Sequence, residues 1–144
     1  MNDDMPKIVQ MDAMLELVDA LIEVVTEENA TLERGLPVAM TGTLKPKIVL
    51  GRKLEHQVAL VRAGVPFDPE SSDALRQRLV DRGQVLTLVM DENVLRLRAA
   101  MVSTRRRIEA VMQALREENA RPGPYSASGR QQATPTAPLG GRLA

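Results

Sequence analysis

The 144-residue sequence contains no cysteine and no tryptophan, and it has a single phenylalanine, a single tyrosine and a single histidine. The absence of cysteine excludes disulfides and thiolate metal sites. The scarcity of aromatic residues means that Leu, Val, Ile, Met and Ala must form the core, which suits thin seams between helices better than a thick globular interior. Apolar residues make up 44% of the chain, which is sufficient for such a core, and the length fits one domain.

Long apolar runs are also missing. No run approaches the roughly 18 residues that a membrane-spanning helix needs. No basic segment followed by an apolar segment is visible near the N-terminus, so we see no secretory signal. We therefore expect a cytoplasmic protein without a membrane span.

The formal net charge is zero at pH 7, but the charges are unevenly distributed. Residues 1–36 contain nine acidic and two basic residues, whereas residues 37–67 contain five basic residues and one acidic residue. An acidic first helix beside a basic second helix would attract and help to fix which faces meet. Because nucleic-acid-binding proteins are more often basic overall, we expect no nucleic-acid partner.

Apolar residues that alternate three and four positions apart predict a first helix over residues 10–35. Gly35 and Pro37 are typical helix-ending residues. The heptad spacing indicates a helix that packs along another helix. The predicted seam consists of Met11, Leu15, Val18, Ile22, Val25, Asn29, Leu32 and Leu36.

A second helix is predicted after the loop at residues 37–43. Thr43 is the expected N-cap, and Pro46 falls in the first turn, where its missing N–H is not needed. Gly64 and Pro66 stop the helix. Its apolar stripe consists of Leu44, Ile48, Gly51, Leu54, Val58, Val61 and Val65.

A third, longer helix is predicted from Pro69, with Asp68 as its cap, to Asn119. About 50 helical residues extend about 75 Å, roughly twice the length of the first helix. We therefore expect the C-terminal third of this helix to be partly uncovered, with its apolar side chains available to a partner. The stripe consists of Leu79, Gly83, Leu86, Met90, Asn93, Leu97, Met101, Thr104, Ile108, Val111 and Leu115.

Together these patterns predict an all-α protein, an elongated antiparallel three-helix bundle or coiled coil with a long third helix. Residues 1–119 would form the helical domain. Residues 120–144 contain four prolines and four glycines, and they cannot bury enough apolar area to offset chain entropy. We expect them to form a flexible, disordered C-terminal tail.

The sequence lacks the residue sets that hydrolytic or proton-transfer catalysis usually needs. His56 has no partner at metal-ligand spacing, so we interpret it as a surface residue. Five carboxylates of the first helix lie three and four positions apart on the face away from the seam, as expected for a solvated surface: Asp12, Glu16, Asp19, Glu23 and Glu27. No phosphate-binding glycine-rich loop is present. We therefore expect no enzyme activity, no cofactor and no metal site.

Four features have competing interpretations. The arginines at 105–107 fan around the helix, so a solvated surface is favoured over a phosphate-binding stripe. Asn93 lies in an apolar seam, which favours selection of the helix register. Met112 fits either core filling or a surface that accepts a partner. Tyr125 lies in a Pro/Gly/Ser-rich context and is either without a role or an anchor for docking.

The order of these features resembles the FlgN family of flagellar export chaperones. The resemblance covers roughly residues 11–130, and it includes a second helix that carries lysines followed by leucines, either Lys47 and Leu50 or Lys53 and Leu54. A departure is the broken link after the first helix, at Gly35 and Pro37. The other matching positions are Glu28, Leu32, Arg62, Gly64, Asn93, Tyr125 and Gly129.

The resemblance implies a cytoplasmic export chaperone that binds the C-terminal segment of flagellar hook-associated (hook–filament junction) proteins and delivers them to the type III export gate. It places substrate binding on Ile108, Val111, Met112 and Leu115, and docking to the cytosolic domain of the export gate on Tyr125. A monomer or weak dimer is expected. The alternative is a self-associating coiled-coil assembly or adaptor protein without chaperone activity.

Overall fold

The computed structural model describes residues 7–122, which are helical apart from short connections. Helix α1 spans Met11–Glu33, α2 spans Leu44–Arg62 and α3 spans Asp73–Ala120. A short 3-10 helix, Val38–Met40, lies between α1 and α2. No β-strand occurs in the described range. The expected all-α class with a long third helix is thus confirmed.

Glycines follow the first two helices, as predicted. Gly35 has a φ of 75°, and Gly64 has a φ of 87°. This left-handed conformation is unfavourable for residues with a Cβ atom, so each glycine allows the chain to leave its helix. Helix α1 ends at Glu33, two residues before the predicted boundary.

The prediction that the third helix begins at Pro69 is wrong. The Asp68 carboxylate accepts the backbone N–H of Glu70 at 2.9 Å and stabilises a turn. The helix begins after Ser72, whose hydroxyl oxygen accepts the backbone N–H of Leu75 at 3.1 Å. This bond to the third helical residue is the usual N-cap interaction. Two candidate start signals lie close together here, and the second one is used.

The apolar core lies on α1 and on Val9, two residues before the helix begins. The predicted seam of α1 is buried except for Leu36, which lies beyond the end of the helix and is exposed. Helix α2 contributes no buried residue, and two members of its apolar stripe, Leu44 and Ile48, are exposed. The buried apolar residues are Val9, Met11, Leu15, Val18, Leu21, Ile22, Val25 and Leu32.

Helices α1 and α2 run antiparallel. The segment before α1 pairs with the segment after α2, since the Val9 N–H donates to the Pro66 carbonyl at 2.9 Å and the Asp68 N–H donates to the Val9 carbonyl at 3.1 Å. At the other end, the start of α2 contacts the last turns of α1. These two attachments fix the hairpin at both ends.

Helix α3 runs parallel to α1 over the region where their side chains meet. Arg82 pairs with Asp19, and Arg96 lies 3.7 Å from the Glu33 carboxylate. The residue numbers of the paired side chains therefore increase together along both helices, from Asp19 and Arg82 to Glu33 and Arg96. Because both ion pairs are partly exposed to solvent, each contributes little to the stability of the protein.

The apolar stripe of α3 changes character along its length. Its members from Leu79 to Leu97 are half-buried or buried, whereas its members from Met101 onward are exposed. The chain divides at the same place into two compact units, of which the first ends at Met101 and the second begins at Val102.

Candidate functional site

A buried polar cluster joins α1, α2 and α3 in the unit that ends at Met101. It consists of Glu28, Asn29, Thr43, Lys47 and Asn93, and we refer to it as the Glu28 cluster. The Glu28 side chain is completely buried. Its Oε2 accepts the Thr43 hydroxyl at 2.6 Å, and its Oε1 accepts the Lys47 ammonium at 2.7 Å. An ionised carboxylate thus lies in the core with an opposite charge beside it.

Asn93 of α3 completes the cluster through its amide group. Its Nδ2 donates to Glu28 Oε1 at 3.0 Å and to Asn29 Oδ1 at 2.9 Å. Asn29 in turn donates to the Val89 carbonyl at 3.0 Å. No buried side-chain nitrogen or oxygen within residues 7–122 is left without a hydrogen-bond partner. A buried polar network is compatible with a stable core only when all of its donors and acceptors are hydrogen-bonded in this way.

The environment of Glu28 acts on its pKa in two directions. Burial raises the pKa, because it disfavours the charged carboxylate. Hydrogen bonds from Lys47, Thr43 and Asn93, together with the charge of Lys47, lower it. The lowering effects are larger in sum, so the pKa of Glu28 lies below its ordinary value of 4.5. Glu28 is therefore ionised at neutral pH.

Thr43 occupies the predicted N-cap position, but its hydroxyl has a different role. Its backbone is in the right-handed helical region, and its side chain makes no capping bond to α2. The hydroxyl donates instead to Glu28 of α1, and it also lies 2.6 Å from the Thr41 hydroxyl. Thr43 therefore attaches the start of α2 to α1.

The Glu28 cluster connects the helices of the unit that ends at Met101. Glu28 accepts hydrogen bonds from Lys47, Thr43 and Asn93, and Asn93 also donates to Asn29, so the polar groups of the cluster link the helices to one another. Because each amide and carboxylate finds its partner in only one alignment, the cluster favours one register of the helices. No group of three His, Cys, Asp or Glu residues suited to a metal ion occurs in the described part of the chain. His56 is exposed on α2, as expected.

A groove of about 580 Å³ lies along α2 in the same unit. Arg62 and Glu55 are the charged residues of its lining. The remaining lining is apolar or small, and it draws on all three helices. These residues are Leu21 of α1, Gly51, Leu54, Val58 and Ala59 of α2, and Met90 of α3.

The four residues predicted to bind a substrate protein lie in the second unit, on α3. Ile108, Val111, Met112 and Leu115 are 58%, 59%, 46% and 50% exposed. Their spacing of three, one and three positions places them within an arc of about 100° on one helix face. The structure therefore brings them together as one exposed apolar stripe, which we call the α3 stripe.

Three other predicted features remain to be placed: Tyr125, the C-terminal tail and the arginines at positions 105–107. Tyr125, the expected docking residue, and the predicted tail beyond Pro122 lie outside the described residues. The arginines at positions 105–107 are all exposed, in agreement with a solvated helix surface. Because consecutive helix positions are 100° apart, Arg105 and Arg107 lie on the two sides of the α3 stripe, and Arg106 lies on the opposite face.

Comparison with known proteins gives no matching family model, no matching curated protein and no matching solved structure. A separate property of the chain concerns membranes. No helix within residues 7–122 is both long and apolar enough to span one.

The sequence pattern missed the position of Glu28 in the core and the groove along α2. Glu28 lies next to Asn29 of the predicted seam, so a polar pair at the edge of an apolar stripe was the available signal. For the groove, the available sequence signal was weaker: the small residues Gly51 and Ala59 on the apolar face of α2. Neither signal identifies a partner, because partners are set by the packing of helices distant in sequence.

Proposed function

We propose that this protein is a cytoplasmic export chaperone for flagellar hook-associated (junction) proteins, without enzyme activity. It binds the C-terminal segment of its substrate and delivers it to the type III export gate. The observation that supports this proposal best is the α3 stripe. Four clustered apolar side chains, each about half exposed or more, suit an amphipathic partner helix that docks through residues three and four positions apart.

The proposal includes the finer architecture expected from the sequence, an antiparallel three-helix bundle. The antiparallel alignment of α1 with α2 and the parallel alignment of α1 with α3 support it. The Glu28 cluster fits the same architecture, because its hydrogen bonds favour one register of the three helices within the unit that ends at Met101.

Isothermal titration calorimetry with peptides from the C-termini of junction proteins tests the proposal. We expect binding with a micromolar dissociation constant and a gain of helical circular dichroism, because the peptide orders on the α3 stripe. The absence of heat at tens of micromolar of full-length chain would contradict chaperone function.

A matched pair of variants locates the binding site. Val111→Asp places a charge within the α3 stripe, whereas Ala110→Asp places the same charge one residue away, on the opposite helix face. We expect Val111→Asp to weaken binding at least about tenfold, since burial of a valine side chain contributes about 1.5–3 kcal/mol. Ala110→Asp should bind like the unmodified chain. Equal effects of the two substitutions would rule out the stripe as the site.

The second candidate is a self-associating coiled-coil assembly or adaptor protein. The same exposed stripe favours it, because two copies could cover each other's apolar residues. Sedimentation equilibrium separates the two functions. A stable dimer at low micromolar concentration that Val111→Asp dissociates favours assembly, whereas a monomer or weak dimer is expected of the chaperone.

A further inference from the structure

The charged residues of α1 all carry the same sign. The helix contains seven acidic residues and no basic residue, whereas α3 mixes seven acidic residues with nine arginines. Five of the seven carboxylates of α1 share one helix face within an arc of about 80° and a length of about 22 Å. We call these residues the acidic stripe: Asp12, Glu16, Asp19, Glu23 and Glu27.

Most of the acidic stripe is not neutralised within the described chain. Asp19 pairs with Arg82, but the other four members are exposed and form none of the ion pairs present within residues 7–122. These four include two pairs of carboxylates four positions apart, a spacing at which like charges destabilise a helix. Helix α1 thus carries a line of negative charge that costs stability in the isolated chain.

Helix α2 carries the opposite charge on one exposed face. Lys45, Arg52 and Lys53 are exposed and lie within an arc of about 100°. They form none of the ion pairs found among residues 7–122, and we call them the basic stripe. Val49 lies near the centre of this arc and is 50% exposed. Glu55, the one acidic residue of α2, lies outside the arc, so this face is cationic around a small apolar centre.

The two stripes are complementary in charge, but they do not pair with each other in one chain. Among residues 7–122, the ion pair that joins α1 to α2 is that of Glu28 with Lys47, which belong to neither stripe. The basic stripe extends about 12 Å along its helix, so it fits within the length of the acidic stripe. In a dimer with two-fold symmetry, each stripe faces the opposite stripe of the other copy, and both pairings form at once. A second copy therefore satisfies both stripes, whereas an acidic or a basic partner protein satisfies only one.

We propose that the acidic stripe of α1 and the basic stripe of α2 form the interface of a weak two-fold dimer of this chain. Lys45, Arg52 and Lys53 of one copy pair with the carboxylates of the other copy, and Val49 is covered between them. Exposed ion pairs are individually weak, so the dimer forms at high protein concentration and low salt. The interface goes beyond the proposed chaperone function, and it differs from assembly through the α3 stripe because the two surfaces share no residue.

Sedimentation equilibrium of the full chain at about 0.1–1 mM tests the dimer. We expect a dimer at about 10 mM salt, where charges act over about 30 Å, and a monomer at about 1 M salt, where they act over about 3 Å. An interface of apolar residues would instead persist at high salt. A monomer at low salt, or a dimer that is equally stable at both salt concentrations, would overturn the proposal.

Reversal of charge tests which surfaces meet. One double variant combines Glu16→Lys with Glu23→Lys, and the other combines Arg52→Glu with Lys53→Glu. All four positions are exposed, and Glu, Lys and Arg have similar helix propensities, so both variants should fold. We expect each variant alone to be a monomer at low salt and their equimolar mixture to form a dimer, because lysines then meet glutamates again. A mixture that stays monomeric would show that the stripes do not pair.

A matched control separates the stripes from the net charge of the chain. Glu109→Lys with Glu117→Lys makes the same change in net charge as the α1 double variant, but at exposed positions of α3. The dimer should be unaffected in this control. Dissociation of the dimer to the same extent as in the α1 double variant would mean that overall charge, and not the acidic stripe, decides association.

The α3 stripe provides the last comparison. Val111→Asp should leave the low-salt dimer intact, and the α1 double variant should still bind junction-protein peptides if the chaperone proposal is correct. Failure of one proposal is therefore distinguishable from failure of the other. If Val111→Asp dissociates the dimer and the charge reversals do not, the copies meet through the α3 stripe, and the assignment to the charged stripes is wrong.

Discussion

At the scale of single residues, Glu28 is a completely buried carboxylate that accepts three side-chain hydrogen bonds. An isolated carboxylate in an apolar core would be strongly destabilising. Here the ammonium of Lys47, the hydroxyl of Thr43 and the amide of Asn93 surround it, each on a different helix or connection from Glu28 itself. The penalty of burial is thus offset only when the three helices are assembled in one alignment.

We expect Glu28→Gln to lower the free energy of unfolding by about 1–3 kcal/mol, because the neutral amide weakens the bonds that hold Lys47 and Thr43. Glu27→Gln is the matched control, since Glu27 is the adjacent residue and is exposed. Urea denaturation followed by circular dichroism measures both changes. A loss of equal size in the two variants would show that Glu28 contributes no more than a surface carboxylate.

The pH dependence of stability follows from the lowered pKa of Glu28. A carboxyl group with a lower pKa in the folded state stabilises the protein above its ordinary pKa of 4.5, and this contribution is lost as the pH falls through the folded value. The stability difference between the unmodified chain and Glu28→Gln should therefore narrow as the pH decreases below about 4.5. Urea titrations from about pH 7 to about pH 3 measure it. A constant difference over this range would contradict a lowered pKa.

At the scale of secondary-structure elements, Gly51 within α2 and Gly64 just after it affect stability in opposite ways. Gly51 lies within the helix, where it lowers helix propensity and leaves open space. Gly64 lies just after the helix with a φ of 87°, a conformation that residues with a Cβ atom rarely adopt. The same substitution should thus have opposite signs at two positions of one hairpin.

We expect Gly51→Ala to raise the free energy of unfolding by about 0.5–1 kcal/mol and Gly64→Ala to lower it by about 1 kcal/mol. Gly83→Ala of α3 provides a control that should behave like Gly51→Ala, because its Cβ position is also open. Thermal unfolding followed by circular dichroism ranks the three variants. The same direction of change at all three sites would show that backbone conformation does not decide the effect.

The ends of the helices show which sequence signals were sufficient to predict a helix boundary. Glycine after α1 and α2 gave the ends of both helices to within a few residues, because a positive φ is a local requirement. The start of α3 was not predictable to the same precision. Asp68 and Ser72 are both good capping residues, and the pairing of Asp68 with Val9 draws it into the connection between helices.

At the scale of the whole molecule, the proposed chaperone has separate surfaces for its partners. The α3 stripe would bind the substrate, and Tyr125, ten residues beyond Leu115, would bind the export gate. A tyrosine in a Pro/Gly/Ser-rich segment suits a short docking element, because one aromatic anchor can supply much of the binding free energy. The two interactions should therefore be separable by mutation.

Tyr125→Ala should leave the affinity for junction-protein peptides unchanged and weaken binding to the cytosolic domain of the export gate at least about tenfold. Ser126→Ala, at the next position, is the control and should bind both partners normally. Pull-down and calorimetry with each purified partner measure the two affinities. Parallel loss of both interactions in Tyr125→Ala would contradict separate roles for the stripe and the tyrosine.

The sequence alone determined the helical class, the long third helix and the apolar stripe whose members are exposed from Met101 onward. These features follow from residue periodicity and from local backbone requirements, which need no knowledge of distant contacts. Only the tertiary structure decided that Glu28 is an ionised core residue, that Thr43 joins α2 to α1 and that α2 borders a groove. Each of these depends on residues 15 or more positions apart, and helical periodicity does not encode which of them meet.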